Sequence, residues 1–299
     1  MSKPRTVTSK EQAERIVREH YPHAKEITFI EHGFSNLIAR IDGQVIFRFP
    51  RDEKRAERCI FEMSLLQRLE GALSPIPTVI QMHRDPVYAI TSRLPGNHLS
   101  ARVMSTMPPS DQARIGRQLA DFVYALEQAI TPTEVHDLQQ QTNVIHSLET
   151  WAQHLSNVFA KPQANGGLQR LVEEYYPQWQ RLIIQEPMRL TVHGDLHESN
   201  LLFDGTTLTG VLDFEFTEVG SIEQEMRLFY PFGEGVLQAA VQRYFERSGV
   251  HANLEYIRLW IITTELATLC NRINLGDETH AAYVRARDHL RTWLPDFPL

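Results

Sequence analysis

Asp195, Asn200 and Asp213 stand within one short segment, Val192 to Phe216, which reads VHGDLHESNLLFDGTTLTGVLDFEF. Asn200-Leu201-Leu202-Phe203 and Leu208-Thr209-Gly210-Val211-Leu212 read as two short strands, with Asp204-Gly205 as the turn between them. Folded as a hairpin, this segment puts Asn200 at the start of one strand and Asp213 at the end of its antiparallel neighbour. The two side chains then meet at the same end, with Asp195 on the loop just before. An amide oxygen and two carboxylates in one place make a hard oxygen site suited to magnesium, which binds through one or two carboxylates plus phosphates and keeps several waters. Phosphoryl transfer needs such a set: metal ions on the phosphates, and a carboxylate that orients the acceptor hydroxyl and takes its proton. The spacing D-x-x-x-x-N from Asp195 to Asn200 is that of a kinase catalytic loop.

A second pair of charges sits where apolar residues are expected. Arg48 shares a strand face with Ile46, while Val45, Phe47 and Phe49 line the other face. Glu62 falls in an apolar helical stripe between Cys59 and Leu66. Unpaired buried charges are costly, so an Arg48–Glu62 ion pair is expected. His193, Asp195 and His197 also form H-x-D-x-H, a pattern that could hold zinc or iron and serve a metal-dependent hydrolase. That reading leaves Asn200 and Asp213 without a role.

The elements that must position these groups follow from local pattern. A first helix starts at Thr8 or Ser9, each with a capping partner three residues on. Strands are expected at Glu26–Glu31, Leu37–Ile41, Gln44–Phe49, Thr78–His83 and Val87–Thr91, with Asp42-Gly43 as a hairpin turn. A helix from Asp52 to Glu70 ends at Gly71. After a break at residues 92–96, long helices dominate, at about Ser110–Ile130, Leu148–Phe159 and Leu168–Ile184 and again over the last seventy or so residues. Trp151, Trp179 and Trp260 lie in helical patterns and read as core; Glu265 lies in a mostly apolar helix and reads equally as cleft-facing or solvated. The chain thus divides into a strand-rich lobe over residues 1–94 and a helix-rich lobe over residues 95–299.

Composition bounds the class. The 299 residues are 42% hydrophobic and 22% charged, as in ordinary globular proteins. The formal charge of −7 argues against a nucleic-acid partner. Two cysteines, Cys59 and Cys270, form no disulfide framework, and no apolar signal segment or membrane-length run occurs, so a cytoplasmic setting is expected.

HGDLHESNLL followed by GVLDFE resembles the aminoglycoside phosphotransferase family, kinase-like small-molecule phosphotransferases that include choline-kinase-like enzymes. Gly33-Phe34-Ser35-Asn36 resembles its phosphate loop, Val45–Pro50 its third strand, and Glu62-Met63-Ser64-Leu65-Leu66 the helix with the ion-pair glutamate. Arg93-Leu94-Pro95-Gly96 resembles its hinge and Leu119-Ala120-Asp121-Phe122 its first long helix beyond. The resemblance implies an α+β, protein-kinase-like fold with an antiparallel-sheet nucleotide-binding lobe and a mainly helical lobe carrying the catalytic loop and substrate site. It implies transfer of the γ-phosphoryl group of ATP or GTP to a small-molecule hydroxyl. Asp195 would be the catalytic base, Asn200 and Asp213 the magnesium ligands, and Ser35, Arg48, Glu62, Ser92 and Leu94 the nucleotide-binding residues, with His193 bracing the loop. The chain departs from the family's pattern in its single-glycine phosphate loop, in Arg48 where a lysine is usual, in Gly220-Ser221-Ile222 where Gly-Asp-Pro is common, and in Glu127 near the place of a usual histidine. A non-catalytic kinase-like binding protein is the other alternative, which the intact Asp195, Asn200 and Asp213 disfavour. Carboxylates follow Asp213 closely at Glu215, Glu218, Glu223 and Glu225, and recur at Glu234, Glu255, Glu265, Asp277 and Glu278. In the acceptor lobe they point to a cationic acceptor, an aminoglycoside among the candidates.

Overall fold

The computed structural model describes residues 4–30, 35–161, 165–185 and 189–299. Glu31, at the end of the first expected strand, and Gly33 and Phe34 of the expected phosphate loop lie outside the described residues. The first elements are α1 (Lys10–His20), β1 (Ile27–Ile30), β2 (Asn36–Ile41), β3 (Val45–Pro50), α2 (Glu53–Leu69), β4 (Val79–Arg84) and β5 (Val87–Ser92). There follow α3 (Ala101–Ser105), α4 (Pro109–Ala129), α5 (Pro132–Thr142), α6 (Leu148–Phe159) and α7 (Gly166–Gln185). The remainder is β6 (Leu190–Val192), β7 (Leu201–Asp204), β8 (Thr207–Val211), β9 (Glu218–Gly220), α8 (Ile222–Met226), α9 (Glu234–Ser248), α10 (Leu254–Asn274) and α11 (Ala281–Trp293). They fall into two compact units: Met1–Leu99 with Phe122–Ile145 and His193–Glu218, and Ser100–Asp121 with His146–Val192 and Val219–Leu299.

The first unit is built on a five-stranded sheet of order β1-β2-β3-β5-β4, antiparallel throughout. The β2–β3 turn uses Asp42 and Gly43, both at positive φ, as a tight hairpin requires. Asp42 tolerates that conformation because its carboxylate accepts the Lys25 and Glu26 N–H groups at 2.9 and 2.8 Å. Alternation along β3 then divides its side chains. Phe47 and Phe49 pack with Tyr88 and with Ala13 and Val17 of α1, a helix capped by Ser9, which accepts from the Gln12 N–H at 3.2 Å. Ile46 and Arg48 are left on the opposite face. Helix α2, capped by Asp52, pairs Arg68 with Glu134 of α5 at 3.2 Å.

The β7–β8 hairpin belongs to this unit, with Leu201 opposite Val211 and Asp204 opposite Thr207. Its turn is Gly205-Thr206 rather than the expected Asp204-Gly205, because Asp204 still pairs within the ladder, opposite Thr207; a register shift beside Phe203 shortens the loop to those two residues. Asn200 lies in the 3₁₀ turn Glu198–Asn200 that enters β7, not in the strand itself. Helix α5 has no counterpart in the sequence expectation, although Thr131-Pro132 with Glu134 spells out a capping box with proline at the first turn.

In the second unit the core surrounds Trp179 of α7, packed edge-on against Trp260 of α10 at 5.2 Å, with Leu155, Leu168, Ile262 and Leu266 about them. Glu265 is buried on α10 and takes an ion-pair distance of 2.7 Å to His289 of α11; it is neither solvated nor free. Both cysteines are buried thiols. Among the described residues no helix is long and apolar enough to cross a membrane.

Residues 95–97 anchor the hairpin to the end of the sheet. Asn97 and Phe203 exchange backbone hydrogen bonds at 2.9 and 2.8 Å. Gly96 holds φ +105, and a Cβ there would stand 2.9 Å from the Phe203 carbonyl oxygen and closer still to the Thr209 hydroxyl. Gly96→Ala is expected to lower stability by about 2 kcal/mol or more; urea unfolding of the two proteins checks this.

Candidate active site

The loop before β7 is fixed by buried backbone contacts. Gly194 has φ +81, and a Cβ on it would come within 2.6 Å of the Phe216 carbonyl oxygen, so no larger residue fits. His193 is fully buried. Its Nε2 lies 3.1 Å from the Leu212 carbonyl oxygen, and its Nδ1 accepts from the Asp195 N–H at 3.3 Å. These two bonds suit a neutral ring with its proton on Nε2. Burial pushes the His193 pKa down to about 4.

Asp195 and Asn200 are in direct contact. The Asn200 side-chain N–H₂ donates to the Asp195 carbonyl at 2.9 Å and to its carboxylate at 3.0 Å. That commits the amide nitrogen and leaves the amide oxygen on the other branch of the side chain. His197 caps the 3₁₀ turn by accepting from the Ser199 N–H at 3.1 Å, and its Nε2 lies 3.4 Å from the Asp195 carboxylate. With His193 bonded to main chain and His197 spent on a turn, the H-x-D-x-H pattern does not gather ligands. Among the described residues no three His, Cys, Asp or Glu side chains are grouped to hold a metal.

The Leu212 N–H donates to the Asn200 carbonyl at 2.9 Å, which brings Asp213 beside Asn200 as the hairpin reading expects. Asp213 takes a left-handed backbone, φ +66, uncommon for a non-glycine residue. Arg48 reaches it at 3.6 Å and reaches Glu62 at 2.5 Å. Glu62 also accepts from the Phe214 N–H at 3.3 Å. The Arg48–Glu62 pair thus exists and is tied to the backbone next to Asp213. Burial pushes the Glu62 carboxyl up to about 7 against the pull of Arg48, and burial likewise raises Asp213 above the usual carboxylate range. The Arg48 guanidinium is held charged by Glu62 and Asp213 against the cost of its own burial.

Asp213 Oδ1 is buried without a hydrogen-bond partner. That oxygen faces Arg48 at 3.6 Å but accepts no hydrogen bond, and such a carboxylate oxygen near the Asn200 side chain fits a hard cation that shares phosphate oxygens. On this observation the residues present suit magnesium.

Sequence reasoning missed a second link between α2 and this segment. Glu215 is buried, accepts from the Ser35 hydroxyl at 3.3 Å, and lies 3.5 Å from Arg58. Arg58 also covers the Phe216 ring at 4.8 Å. The available signal was the i, i+4 spacing of Arg58 and Glu62, which puts both on one face of α2. The other carboxylates noted after Asp213 are largely engaged. Glu218 and Glu225 are buried, Glu223 accepts from the Asn253 N–H, Asp277 pairs with Arg272, and Glu278 accepts from the Tyr283 hydroxyl.

Beside Arg48, Asn200 and Asp213 a cavity of about 450 Å³ opens within the first unit. Ile38 and Ile46 line it from the sheet, Leu202 and Leu212 from the hairpin, and Ser92 and Leu94 from the segment after β5. Among the expected nucleotide-binding residues, Arg48, Ser92 and Leu94 line the cavity, Glu62 stands behind Arg48, and Ser35 is bonded to Glu215.

Residues 26–260 match the Phosphotransferase enzyme family, and the chain belongs to that family, with its kinase-like fold. No relative matches among curated protein sequences. The fold is similar to wild-type aminoglycoside 2'-phosphotransferase-IIIa in its GDP complex, at 17% identity and a TM-score of 0.77 over 95% of this chain and 98% of that one. It is also similar to the streptomycin–ATP–APH(2")-IIa ternary complex, at 15% identity and 0.68 over 93% and 97%. The macrolide 2'-phosphotransferase MphH from Brachybacterium faecium aligns at 20% identity and 0.66 over 92% and 96%.

The buried neutral His193 has a consequence for stability. Its pKa falls from 6.5 to about 4 on folding, so between those values the unfolded chain binds the proton and the folded chain does not. Stability is full above pH 6.5 and is lost as pH falls toward 4, by about 3 kcal/mol for this group. Glu62, Asp213 and Glu215, all raised, contribute with opposite sign. The difference between wild type and His193→Gln isolates the histidine: the variant is expected to lose less stability between pH 6.5 and 4 in urea titrations.

Proposed function

We propose that this phosphotransferase moves the γ-phosphoryl group of ATP or GTP to a hydroxyl of a small molecule. The observation that carries the reading is the junction of Asp195, Asn200 and Asp213 with the Arg48–Glu62 pair at one end of the 450 Å³ cavity. In this reading Asp195 orients the acceptor hydroxyl and takes its proton on a carboxylate oxygen. The Asn200 N–H₂ and His193 hold that carboxylate and its loop in place. Arg48, braced by Glu62, faces the donor's phosphates, and the Ser35 hydroxyl, which donates to Glu215 in this structure, would contact them by turning from that carboxylate. Ser92 and Leu94 hold the base end, with apolar walls at Ile46 and Leu202. Asn200 and Asp213 would hold magnesium, which supplies charge neutralisation to the phosphates when bound. Residues 1–94 serve as the nucleotide-binding lobe and residues 95–299 carry the catalytic loop and the acceptor site.

GDP and ATP appear with the solved neighbours, which supports a nucleoside triphosphate donor of either base. Those neighbours are named for aminoglycosides and macrolides. For the acceptor we propose a small hydroxylated molecule that carries positive charge, an aminoglycoside among the candidates. The chain's net charge of −7 supports this through its long-range field. We place the protein in the cytoplasm, with no nucleic-acid or membrane partner.

Purified protein with magnesium and ATP or GTP is to be screened against aminoglycosides, macrolides, choline and amino-acid alcohols. Transfer to one of them supports the reading, and Asp195→Asn is expected to cut that turnover by about 100- to 10,000-fold while nucleotide affinity stays nearly unchanged. Turnover close to wild type in the variant would remove Asp195 from its role.

The charge of the acceptor has its own test. With a cationic acceptor, the apparent KM is expected to rise as salt is increased from about 0.05 to 0.5 M, because screening weakens exposed charge attraction. A KM indifferent to ionic strength, for a neutral acceptor, would leave the transfer chemistry standing and dismiss the cationic acceptor.

A further inference from the structure

The cavity contains a charged group that the chemistry above does not use. Arg40 lines it from β2. Its Nε is buried without a hydrogen-bond partner, and among the described residues no carboxylate pairs with it. The neighbouring arginines differ: Arg48 has Glu62 and Asp213, and Arg93 donates to the Gly43 carbonyl at 3.1 Å. A buried N–H without an acceptor is costly, so a cavity that keeps one open is suited to a ligand that brings the acceptor.

Sheet register fixes which end of the ligand that is. Ile38, Arg48 and Ala89 lie side by side across β2, β3 and β5, and Arg48 marks the end shared with Asn200 and Asp213. Arg40, Ile46 and Thr91 form the next row on the same face, leading toward Ser92 and Leu94. A nucleotide with its phosphates beside Arg48 and Asp213 lays its base in the Arg40 row. A guanidinium offers only N–H donors. A 6-oxopurine presents two adjacent acceptors, N7 and O6, whereas adenine sets a 6-amino donor beside N7. The one carboxylate lining the cavity among the described residues, Asp213, stands at the other end.

We propose that Arg40 reads the base of the phosphoryl donor and that the donor is a 6-oxopurine nucleoside triphosphate, of the guanosine type, in preference to ATP. This rests on the phosphotransferase reading and extends it to the choice of donor. Arg40 is a specificity residue: it touches the base and no reacting atom.

The test is equilibrium binding of GTP, ITP and ATP with magnesium, measured by calorimetry on wild type, Arg40→Met and Arg40→Lys, with folding of each checked by thermal unfolding without ligand. ITP keeps N7 and O6 but lacks the 2-amino group. Wild type is expected to bind GTP and ITP about tenfold more tightly than ATP. Arg40→Met is expected to bring GTP and ITP to the affinity of ATP while ATP changes little, and Arg40→Lys, lacking the two-pronged donor, to restore only part of the preference. Equal weakening of all three nucleotides, no change, or a wild-type preference for ATP would overturn the proposal and leave the phosphotransferase reading intact. Binding of none of the three would overturn the nucleotide-donor reading itself. Should Arg40→Met not fold, 7-deaza-GTP against wild type gives the same readout: affinity equal to that of GTP overturns the proposal.

Discussion

The buried ion pair between Arg48 and Glu62 orders much of what surrounds it. Glu62 has no water to fall back on and the Arg48 side chain is only 13% exposed, so each charge depends on the other being held close. Holding them close requires β3 to present its polar face to α2, and α2 to start and stop where Asp52 and Gly71 allow. The same Glu62 oxygen that meets Arg48 accepts from the Phe214 N–H, so the pair also fixes the segment that carries Asp213. A contact between sheet and helix thereby becomes a contact among sheet, helix and hairpin. Removing one partner would leave a buried charge alone, at several times the cost of losing a surface pair.

Arg58 and Glu62 lie one turn apart on α2 and grip successive residues, Glu215 and Phe214. Two grips on neighbouring residues resist rotation of the segment as well as translation. That suits a backbone in a sparsely populated conformation, which persists only when its surroundings over-determine it. On the hairpin side, His193 bonds to the Leu212 carbonyl, the residue just before Asp213. The aspartate is thus held from before and after by groups on different elements.

How much of this the sequence disclosed depends on range. The Arg48–Glu62 pair spans 14 residues and announced itself through two charges that broke local apolar patterns. The hairpin and the α1 cap were equally local, and alternation and turn chemistry read them with an error of one residue at the β7–β8 turn. Ser35 and Glu215 are 180 residues apart, and no local pattern marks either as the other's partner. Glu265 was ambiguous for the same reason, since His289 lies on another helix. The carboxylates after Asp213 show the same limit: several satisfy backbone N–H groups or cations of their own fold, a choice that composition does not encode. Helix α5 is short and carries its signal at its end, in the Thr131–Glu134 capping box, and not in a long apolar periodicity.

The left-handed backbone at Asp213 places two selective pressures on one residue. A glycine would sit there without the strain, which for an aspartate is on the order of 1 kcal/mol, and it would also relieve the burial of a carboxyl group. Selection for folding alone would therefore drift position 213 away from aspartate. An acid at position 213 therefore answers to chemistry and not to folding, and a chain freed from that chemistry would be sturdier with glycine there as it became inert.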